Sequence, residues 1–217
     1  MKIKGAIFDM DGTLLNSMQY WNTVGIDYLK RHGIDFDGSK ENYVLHVGIL
    51  GFTEYCNKKY SLNKTYDEVL REMHDIIAER YNTVVELKPG ALKMLERFKQ
   101  NGVKMCIATA TEQKEAIGVL TRLGVIDYFS EVLTTTIVGA DKNSPLIYEV
   151  ALEHLGTPKD ETYVFEDAAY AINTAHKNGF KVIGIEDKNT VVPTEKIVPL
   201  CDYFLYEKDN YNTSFLE

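Results

Sequence analysis

Residues 3–13 of the chain read IKGAIFDMDGT. The apolar run from Ile3 to Phe8 has the near-continuous character of a strand that is buried on both faces of a parallel sheet. Asp9 and Asp11 follow this run directly, and ligands of open α/β sheets bind in the crevice outside the carboxyl ends of the strands. The stretch therefore predicts the central strand of a sheet with two carboxylates at its ligand-binding edge.

The residues after this strand suit metal and phosphate chemistry. Of two carboxylates at this spacing, one can hold a hard cation and attack while the other transfers a proton. Gly12 permits a tight turn that presents backbone N–H groups to an anion. A surface turn rich in Asp and Gly is the alternative interpretation, and chemistry at the ends of other strands favours the first.

From residue 88 onward one unit recurs, an amphipathic stretch that ends at glycine and then a short apolar run. Strands that alternate with helices in this way are typical of βαβ units and a parallel sheet. The predicted helices cover residues 89–100, 112–123, 144–155 and 168–178. The predicted strands cover residues 103–108, 132–133, 163–165 and 182–185. The predicted fold class is therefore α/β, with a Rossmann-like parallel sheet as its core.

Residues 17–86 depart from this pattern. They contain no convincing strand, and helical periodicity covers residues 17–31, 53–59 and 66–81. We expect a smaller α-helical cap domain inserted after the first strand, so that residues 1–16 and 87–217 form the α/β core. The alternative is that these helices continue one domain, which would place a long helical excursion between the first two strands of a sheet.

Polar residues also follow the other predicted strands. Thr109 and Ala110 follow the second strand, where a hydroxyl group and exposed N–H groups at a helix start form a natural anion site. Glu166 and Asp167 follow the fourth strand, where buried charge is costly unless it is paired or metal-bound. Singly, Thr109 would be a helix cap and Lys142 a solvated side chain. Together, these groups predict a functional site along one edge of the sheet.

Composition argues against several classes of partner. The 217 residues carry 32 acidic and 24 basic side chains, a net charge of −8, and no basic run is longer than Lys58-Lys59. Counterion release on nucleic acid needs a clustered basic face, so we expect no nucleic-acid partner. No apolar run approaches the ~20 residues that span a bilayer, and the N-terminal apolar run is too short for a signal peptide. We expect a cytoplasmic protein with no membrane partner, either a monomer or a homodimer.

At these positions the chain resembles the haloacid dehalogenase-like hydrolases, most of which are Mg²⁺-dependent phosphatases. The four motifs of that family occur in order, as Asp9-x-Asp11-Gly-Thr13, Thr109, Lys142 and Glu166-Asp167. The resemblance covers essentially the whole chain, because residues 17–86 lie where the subgroup resembling phosphoglycolate phosphatase and β-phosphoglucomutase carries its cap. It implies an Mg²⁺-dependent phosphatase that hydrolyses a small phosphorylated metabolite through an aspartyl-phosphate intermediate.

The resemblance also implies a role for each motif residue. Asp9 would be the nucleophile, and Asp11 would protonate the leaving oxygen and then take a proton from the hydrolytic water. Thr109 and Lys142 would act in catalysis by neutralising the transferring group. The implied phosphate-binding residues are Gly12, Thr109, Ala110 and Lys142. The implied Mg²⁺ ligands are Asp9, the backbone carbonyl of Asp11, Asp167 and, directly or through water, Glu166.

Two stretches depart from the family pattern. The third motif commonly reads Gly-Lys-Pro but is Asp141-Lys142-Asn143 here, and Asp141 could pair with Lys142 and weaken its hold on phosphate. The cap stretch 46–52 has no Arg or Lys, whereas mutases of the subgroup use a basic cap residue for the second phosphate. We therefore expect a phosphatase, with a sugar-phosphate mutase of the β-phosphoglucomutase type as the alternative.

A different functional class is also open. A non-catalytic phospho-acceptor signalling domain likewise combines Asp, Thr or Ser, Lys and Mg²⁺ on a parallel sheet. Such a domain usually has about 120 residues and no large helical insertion, so it fits this chain poorly. A catalytically silent binding protein is a third alternative, and it is disfavoured because no motif position is lost.

The cap is expected to close over the site and set the choice of substrate. Tyr20, Trp21 and His46 are its candidate substrate contacts. Aromatic side chains at helical spacing more often pack in a core, which is the alternative for Tyr20 and Trp21.

Overall fold

The computed structural model describes residues 2–36, 48–190, 192–210 and 212. The chain divides into two compact units. One unit is formed by Met1–Met18 and Val85–Glu217 and contains every described strand, and the other unit, Gln19–Val84, is helical. His46, a candidate substrate contact, lies outside the described residues.

In the described part of the chain, parallel strands form one sheet in the order β3-β2-β1-β4-β5-β6. The strands are β1 Gly5–Phe8, β2 Lys104–Thr109, β3 Val132–Thr134, β4 Thr162–Glu166, β5 Lys181–Ile185 and β6 Tyr203–Leu205. The predicted α/β class and Rossmann-like parallel sheet are therefore confirmed. Strand β1 lies between β2 and β4 and is buried throughout, which explains its continuous apolar run.

Strand β6 is the one strand of this sheet that the sequence pattern did not predict. It has three residues, and its first residue, Tyr203, is exposed. It lies at the edge of the sheet and pairs with β5. A short edge strand lacks the buried apolar run on which sequence patterns depend.

Some of the described helices belong to the unit that contains the sheet, and the others form the helical unit. The described helices are α1 Met18–Trp21, α2 Val24–Arg31, α3 Gly48–Tyr60, α4 Tyr66–Thr83, α5 Ala91–Gln100, α6 Gln113–Arg122, α7 Thr135–Val138, α8 Leu146–Leu155, α9 Ala169–Lys177 and α10 Thr194–Ile197. The four helices predicted after residue 88 correspond to α5, α6, α8 and α9. None of the described helices combines the length and the apolar character needed to cross a membrane.

Packing on both faces of the sheet fixes the end of β1. Phe8 stacks on Phe165 of β4 with ring centroids 4.4 Å apart, and both rings contact Phe98 of α5. On the other face, Ile7 lies in a buried cluster with residues of α8 and α9. The next residue, Asp9, leaves the sheet with its backbone N–H donating to the carbonyl of Phe165 at 2.9 Å. This packing places the Asp9 side chain at the carboxyl edge of the sheet.

The helical unit has a buried core of its own. Helices α2, α3 and α4 contribute Tyr28, Phe52 and Met73 to it. Helix α4 begins with a capping box, in which the Thr65 side chain accepts from the N–H of Glu68 and the Glu68 side chain accepts from the N–H of Thr65. The role of this unit as a cap stays a prediction.

The single helix predicted over residues 17–31 is wrong in one respect, because the helix is interrupted between α1 and α2. The hydroxyl group of Thr23 donates to the carbonyl of Gln19 at 3.0 Å. Side chains that bond to nearby backbone carbonyls in this way compete with the helical pattern. Hydrophobic periodicity does not register this local competition.

Candidate active site

Among the described residues, the buried charged side chains are Asp9, Lys88, Lys142, Glu166, Asp167 and Asp187. All four carboxylates in this set come from the carboxyl ends of β1, β4 and β5. These strands are neighbours in the sheet, so the acids lie along one edge of it. Buried charge is costly unless it is paired or bound to a metal ion.

Three of these acids form a compact cluster. Asp9 follows β1, Glu166 ends the neighbouring β4 and Asp167 comes next. Each offers a carboxylate oxygen, and these oxygens all lie within 4.8 Å of one another. Burial, and then the charge of Asp9, raises the pKa of Glu166 well above its ordinary value and raises the pKa of Asp167 to about 8. The carboxylates therefore repel one another, and a divalent cation between them would relieve that repulsion.

Lys142 compensates part of this charge. Its ammonium group contacts Oδ1 of Asp9 and donates to Oε1 of Glu166 at 2.9 Å. Burial alone would lower the pKa of Lys142, but the charges of Asp9 and Glu166 outweigh burial and raise that pKa well above its ordinary value. The Asp141 carboxylate is not directed at Lys142 and instead accepts from the backbone N–H of Asn143 at 2.9 Å. The departure from the family pattern therefore leaves Lys142 inside the cluster.

Asp11 is held by two hydroxyl groups that the sequence analysis missed. Ser17 donates to its Oδ1 at 2.6 Å, and Thr111 donates to its Oδ2 at 2.7 Å. The backbone N–H of Thr111 in turn donates to the hydroxyl oxygen of Thr109 at 3.0 Å. Thr109 is buried at the end of β2, and Ala110 after it is exposed. The structure thus connects two of the predicted site residues, Asp11 and Thr109, through Thr111.

Gly12 meets two separate requirements. Its φ of +82° lies in the left-handed region, and a Cβ atom added there would lie 2.3 Å from Oδ2 of Asp167. The next residue, Thr13, donates its hydroxyl hydrogen to Oδ1 of Asp167 at 3.0 Å. The backbone N–H of Gly12 donates to the carbonyl of Leu15 at 3.1 Å, within the turn. Gly12 thus lets the turn after β1 approach Asp167 closely, and its predicted phosphate contact stays a prediction.

Replacement of Gly12 by alanine tests this close approach. We expect Gly12→Ala to lower the free energy of unfolding by about 3 kcal/mol, because left-handed strain and a forced displacement of Asp167 add together. Gly102→Ala is the matched control, since Gly102 has a φ of +71° and open space around the added Cβ. It should cost only about 1–2 kcal/mol. Equal losses in urea unfolding would show that the turn does not depend on the space at Asp167.

A second buried ion pair, Lys88 and Asp187, was also missed. The Lys88 ammonium group lies 2.8 Å from Oδ2 of Asp187 and donates to the backbone carbonyl of Glu186 at 2.9 Å. A lysine beside a Pro-Gly turn is ordinarily solvated, so the sequence around Lys88 carries no signal. Asp187 does carry one, because it closely follows a buried strand, as Asp9 does.

The candidate substrate contacts lie within the helical unit. The indole N–H of Trp21 donates to the hydroxyl oxygen of Tyr81 at 3.2 Å, and the guanidinium group of Arg80 lies 5.9 Å from the ring centroid of Tyr20. Both aromatic side chains therefore contact α4 of their own unit. A contact with substrate stays a prediction for both.

Comparison with known proteins connects this geometry to a family. A family model described as haloacid dehalogenase-like hydrolase matches residues 6–185. The chain is 26% identical to protein CbbY of Rhodobacter capsulatus over 193 residues. The aligned region covers 84% of this chain and 85% of that protein. The chain is also 26% identical over 190 residues to the phosphorylated carbohydrates phosphatase of Thermotoga maritima, covering 83% and 84%. The solved structure of CbbY from Rhodobacter sphaeroides in complex with phosphate matches with a TM-score of 0.73 at 19% identity, covering 94% and 93%.

Proposed function

The chain belongs to the haloacid dehalogenase-like hydrolase family, and from this we propose that it is an Mg²⁺-dependent phosphatase that acts on a small phosphorylated metabolite. The observation that carries the proposal is the setting of the Asp9 carboxylate. Its Oδ1 contacts the Lys142 ammonium group, and its Oδ2 is buried without a hydrogen-bond partner among the described residues. A carboxylate that is oriented through one oxygen and makes no hydrogen bond through the other is suited to attack on phosphorus.

The donor set at this edge fits Mg²⁺. Asp9 and Asp167 would supply carboxylate oxygens, Asp11 its backbone carbonyl, and Glu166 a carboxylate oxygen directly or through water. In the buried charged set, four carboxylates stand against two ammonium groups, so two negative charges remain for one divalent cation to neutralise. When bound, the cation would offset the repulsion between Asp9 and a phosphate dianion.

The proposed reaction has two displacements at phosphorus. In the first, a carboxylate oxygen of Asp9 forms a bond to phosphorus while the bond to the leaving oxygen breaks, and Asp11 gives that oxygen a proton. In the second, water gives a proton to Asp11 and attacks phosphorus, which breaks the aspartyl-phosphate and restores Asp9. The hydroxyl groups of Ser17 and Thr111 hold the Asp11 carboxylate and would orient it for both proton transfers.

The phosphate group would lie between the ends of β1 and β2. Lys142 would bind it from the acid cluster, and the Thr109 hydroxyl would donate from the end of β2. The Thr109 oxygen already accepts from the N–H of Thr111, so its own hydrogen can be directed to a phosphate oxygen. The N–H of Gly12 donates to Leu15 within the turn, so the backbone N–H of Ala110 and the N–H groups on either side of Gly12 would complete the proposed phosphate contacts.

A phosphorylated carbohydrate is the substrate class that the similarities favour, because the Thermotoga maritima relative is named a phosphorylated carbohydrates phosphatase. Screening a panel of phosphorylated metabolites for release of inorganic phosphate tests the proposed function. We expect sugar monophosphates to be among the hydrolysed compounds. A sugar bisphosphate that isomerises without release of phosphate would instead identify a mutase.

Replacement of Lys142 tests its proposed contact with both Asp9 and phosphate. We expect Lys142→Met to lower kcat/KM by at least about 100-fold, because two buried carboxylates lose their cation and the phosphate loses a charged donor. Lys114→Met, the same change at an exposed position of α6, should leave kcat/KM unchanged. Near-normal kinetics in Lys142→Met would show that another group binds the phosphate.

A further inference from the structure

Tyr148 is a buried tyrosine beside the acid cluster, and it has no part in the reaction proposed above. It lies on α8, its side chain is 1% exposed, and it belongs to a buried cluster of hydrophobic residues. Its hydroxyl group donates to Oε1 of Glu166 in a long hydrogen bond of 3.5 Å. Burial of a hydroxyl group in apolar surroundings costs free energy unless the group is hydrogen-bonded. A phenylalanine would fill the same space without that cost, so the hydroxyl group needs an explanation.

The Glu166 carboxylate is held at both of its oxygens. Oε1 accepts from the Tyr148 hydroxyl group and also from the Lys142 ammonium group, the latter at 2.9 Å. Oε2 accepts from the backbone N–H of Asp167 at 3.3 Å. These donors come from a helix, from the turn before that helix and from the residue after Glu166. Together they fix the plane of the carboxylate.

The two side chains that donate to Oε1 differ in how their positions are fixed. Lys142 also contacts Asp9, and in the proposed reaction it binds phosphate, so its position depends on the substrate. Tyr148 lies on a helix that packs against β1 and β2, and its ring centroid lies 5.9 Å from that of Phe180. The Tyr148 hydroxyl group is therefore held by packing that does not depend on phosphate.

We propose that Tyr148 is a positioning residue, whose hydroxyl group holds the Glu166 carboxylate in the orientation that a divalent cation requires. The inference rests on the proposed metal site. A donor behind a metal ligand fixes the direction of the lone pairs that the ligand offers, and loss of such a donor weakens metal binding by roughly 10- to 100-fold. Tyr148 acts on the cation only through Glu166.

The Tyr148→Phe variant tests this role, because it removes the hydroxyl group and keeps the ring. Equilibrium titration of the metal-free protein with Mn²⁺, followed by the EPR signal of the free ion, measures affinity without any turnover. We expect the Kd for Mn²⁺ to rise about tenfold, while circular dichroism shows a folded protein. The matched control is Tyr163→Phe, the same change at another buried tyrosine, near the start of β4. It should leave the Kd unchanged.

A double-mutant cycle tests whether the effect passes through Glu166. In Glu166→Gln the carboxylate charge is gone, and the orientation of that charge can no longer matter. Adding Tyr148→Phe to this variant should therefore change the Kd for Mn²⁺ by less than about threefold, so that the two substitutions are not additive.

Three results would overturn the positioning role while leaving the proposed function intact. The first is a Kd in Tyr148→Phe that equals or falls below the wild-type value. The second is a tenfold change that persists in the Glu166→Gln background, because the hydroxyl group would then act by another route. The third is a Tyr148→Phe protein that does not fold, which would assign the hydroxyl group to the fold. A wild-type protein that binds no Mn²⁺ would overturn the metal site and this inference with it.

Discussion

The Asp9→Asn variant is expected to hydrolyse phosphate monoesters at least about 10⁴-fold more slowly than the wild type. A neutral amide oxygen is a poor nucleophile, and it cannot form the acyl phosphate that the proposed reaction requires. The fold should be retained, because Lys142 keeps Glu166 as a partner at 2.9 Å when the charge of Asp9 is lost. Release of inorganic phosphate from an aryl phosphate measures the rate, and circular dichroism measures the fold.

The control for this variant is Asp75→Asn, the same chemical change at an exposed position of α4. It should hydrolyse the aryl phosphate at the wild-type rate. Substantial activity in Asp9→Asn, at a level that contamination by wild-type protein does not explain, would remove the nucleophile from the mechanism and leave the buried cluster with another role.

Removal of divalent cations is expected to abolish turnover, and added Mg²⁺ is expected to restore it. Without the cation, Asp9, Glu166 and Asp167 lie close together, and in the described part of the chain Lys142 is the basic residue paired with Asp9 and Glu166. The phosphate dianion would then approach the Asp9 carboxylate without a cation to offset the repulsion between them. Dialysis against EDTA, followed by an assay with and without Mg²⁺, measures the effect. Undiminished turnover after dialysis would contradict the assignment of Glu166 and Asp167 as metal ligands.

Metal binding should also show a characteristic pH dependence of stability. In the metal-free protein, burial and the charge of Asp9 raise the pKa of Asp167 from its ordinary value of 3.8 to about 8. Between these values the folded state keeps a proton that the unfolded state has lost, so the free energy of unfolding falls as pH rises. A bound cation displaces this proton. We therefore expect Mg²⁺ to raise the Tm more at about pH 8 than at about pH 5. An equal or smaller gain at the higher pH would argue against Asp167 as a ligand.

Burial explains why much of the fold could be predicted from the sequence. Strand β1 is covered on both faces, so its residues must be apolar. The helices that the sequence predicted, α5, α6, α8 and α9, each bury one face and end near a glycine. Where burial is slight, as in β6, the sequence has no apolar run that would predict a strand. Where a side chain competes for backbone hydrogen bonds, as Thr23 does between α1 and α2, periodicity predicts one long helix although the structure has two short ones.

The site residues that lie at the ends of strands could be predicted from the sequence. Asp9, Glu166 and Asp167 follow β1 and β4, and the alternation of strands and helices alone brings the ends of parallel strands to one edge. The hydrogen bond from Thr111 to Asp11 spans 100 residues of sequence, and no local pattern announces it. The sequence around Lys88 likewise gives no indication that this side chain is buried, because its partner Asp187 follows β5, far away in the sequence.

The stereochemical course at phosphorus tests the central claim most directly, because it does not depend on accumulation of an intermediate. An aryl phosphorothioate made chiral at phosphorus with oxygen isotopes would be hydrolysed in isotopically enriched water, and the configuration of the released thiophosphate would be determined. Each in-line displacement inverts phosphorus, so attack by Asp9 followed by attack of water predicts overall retention. Overall inversion would mean a single displacement by water, and it would contradict the covalent role of Asp9.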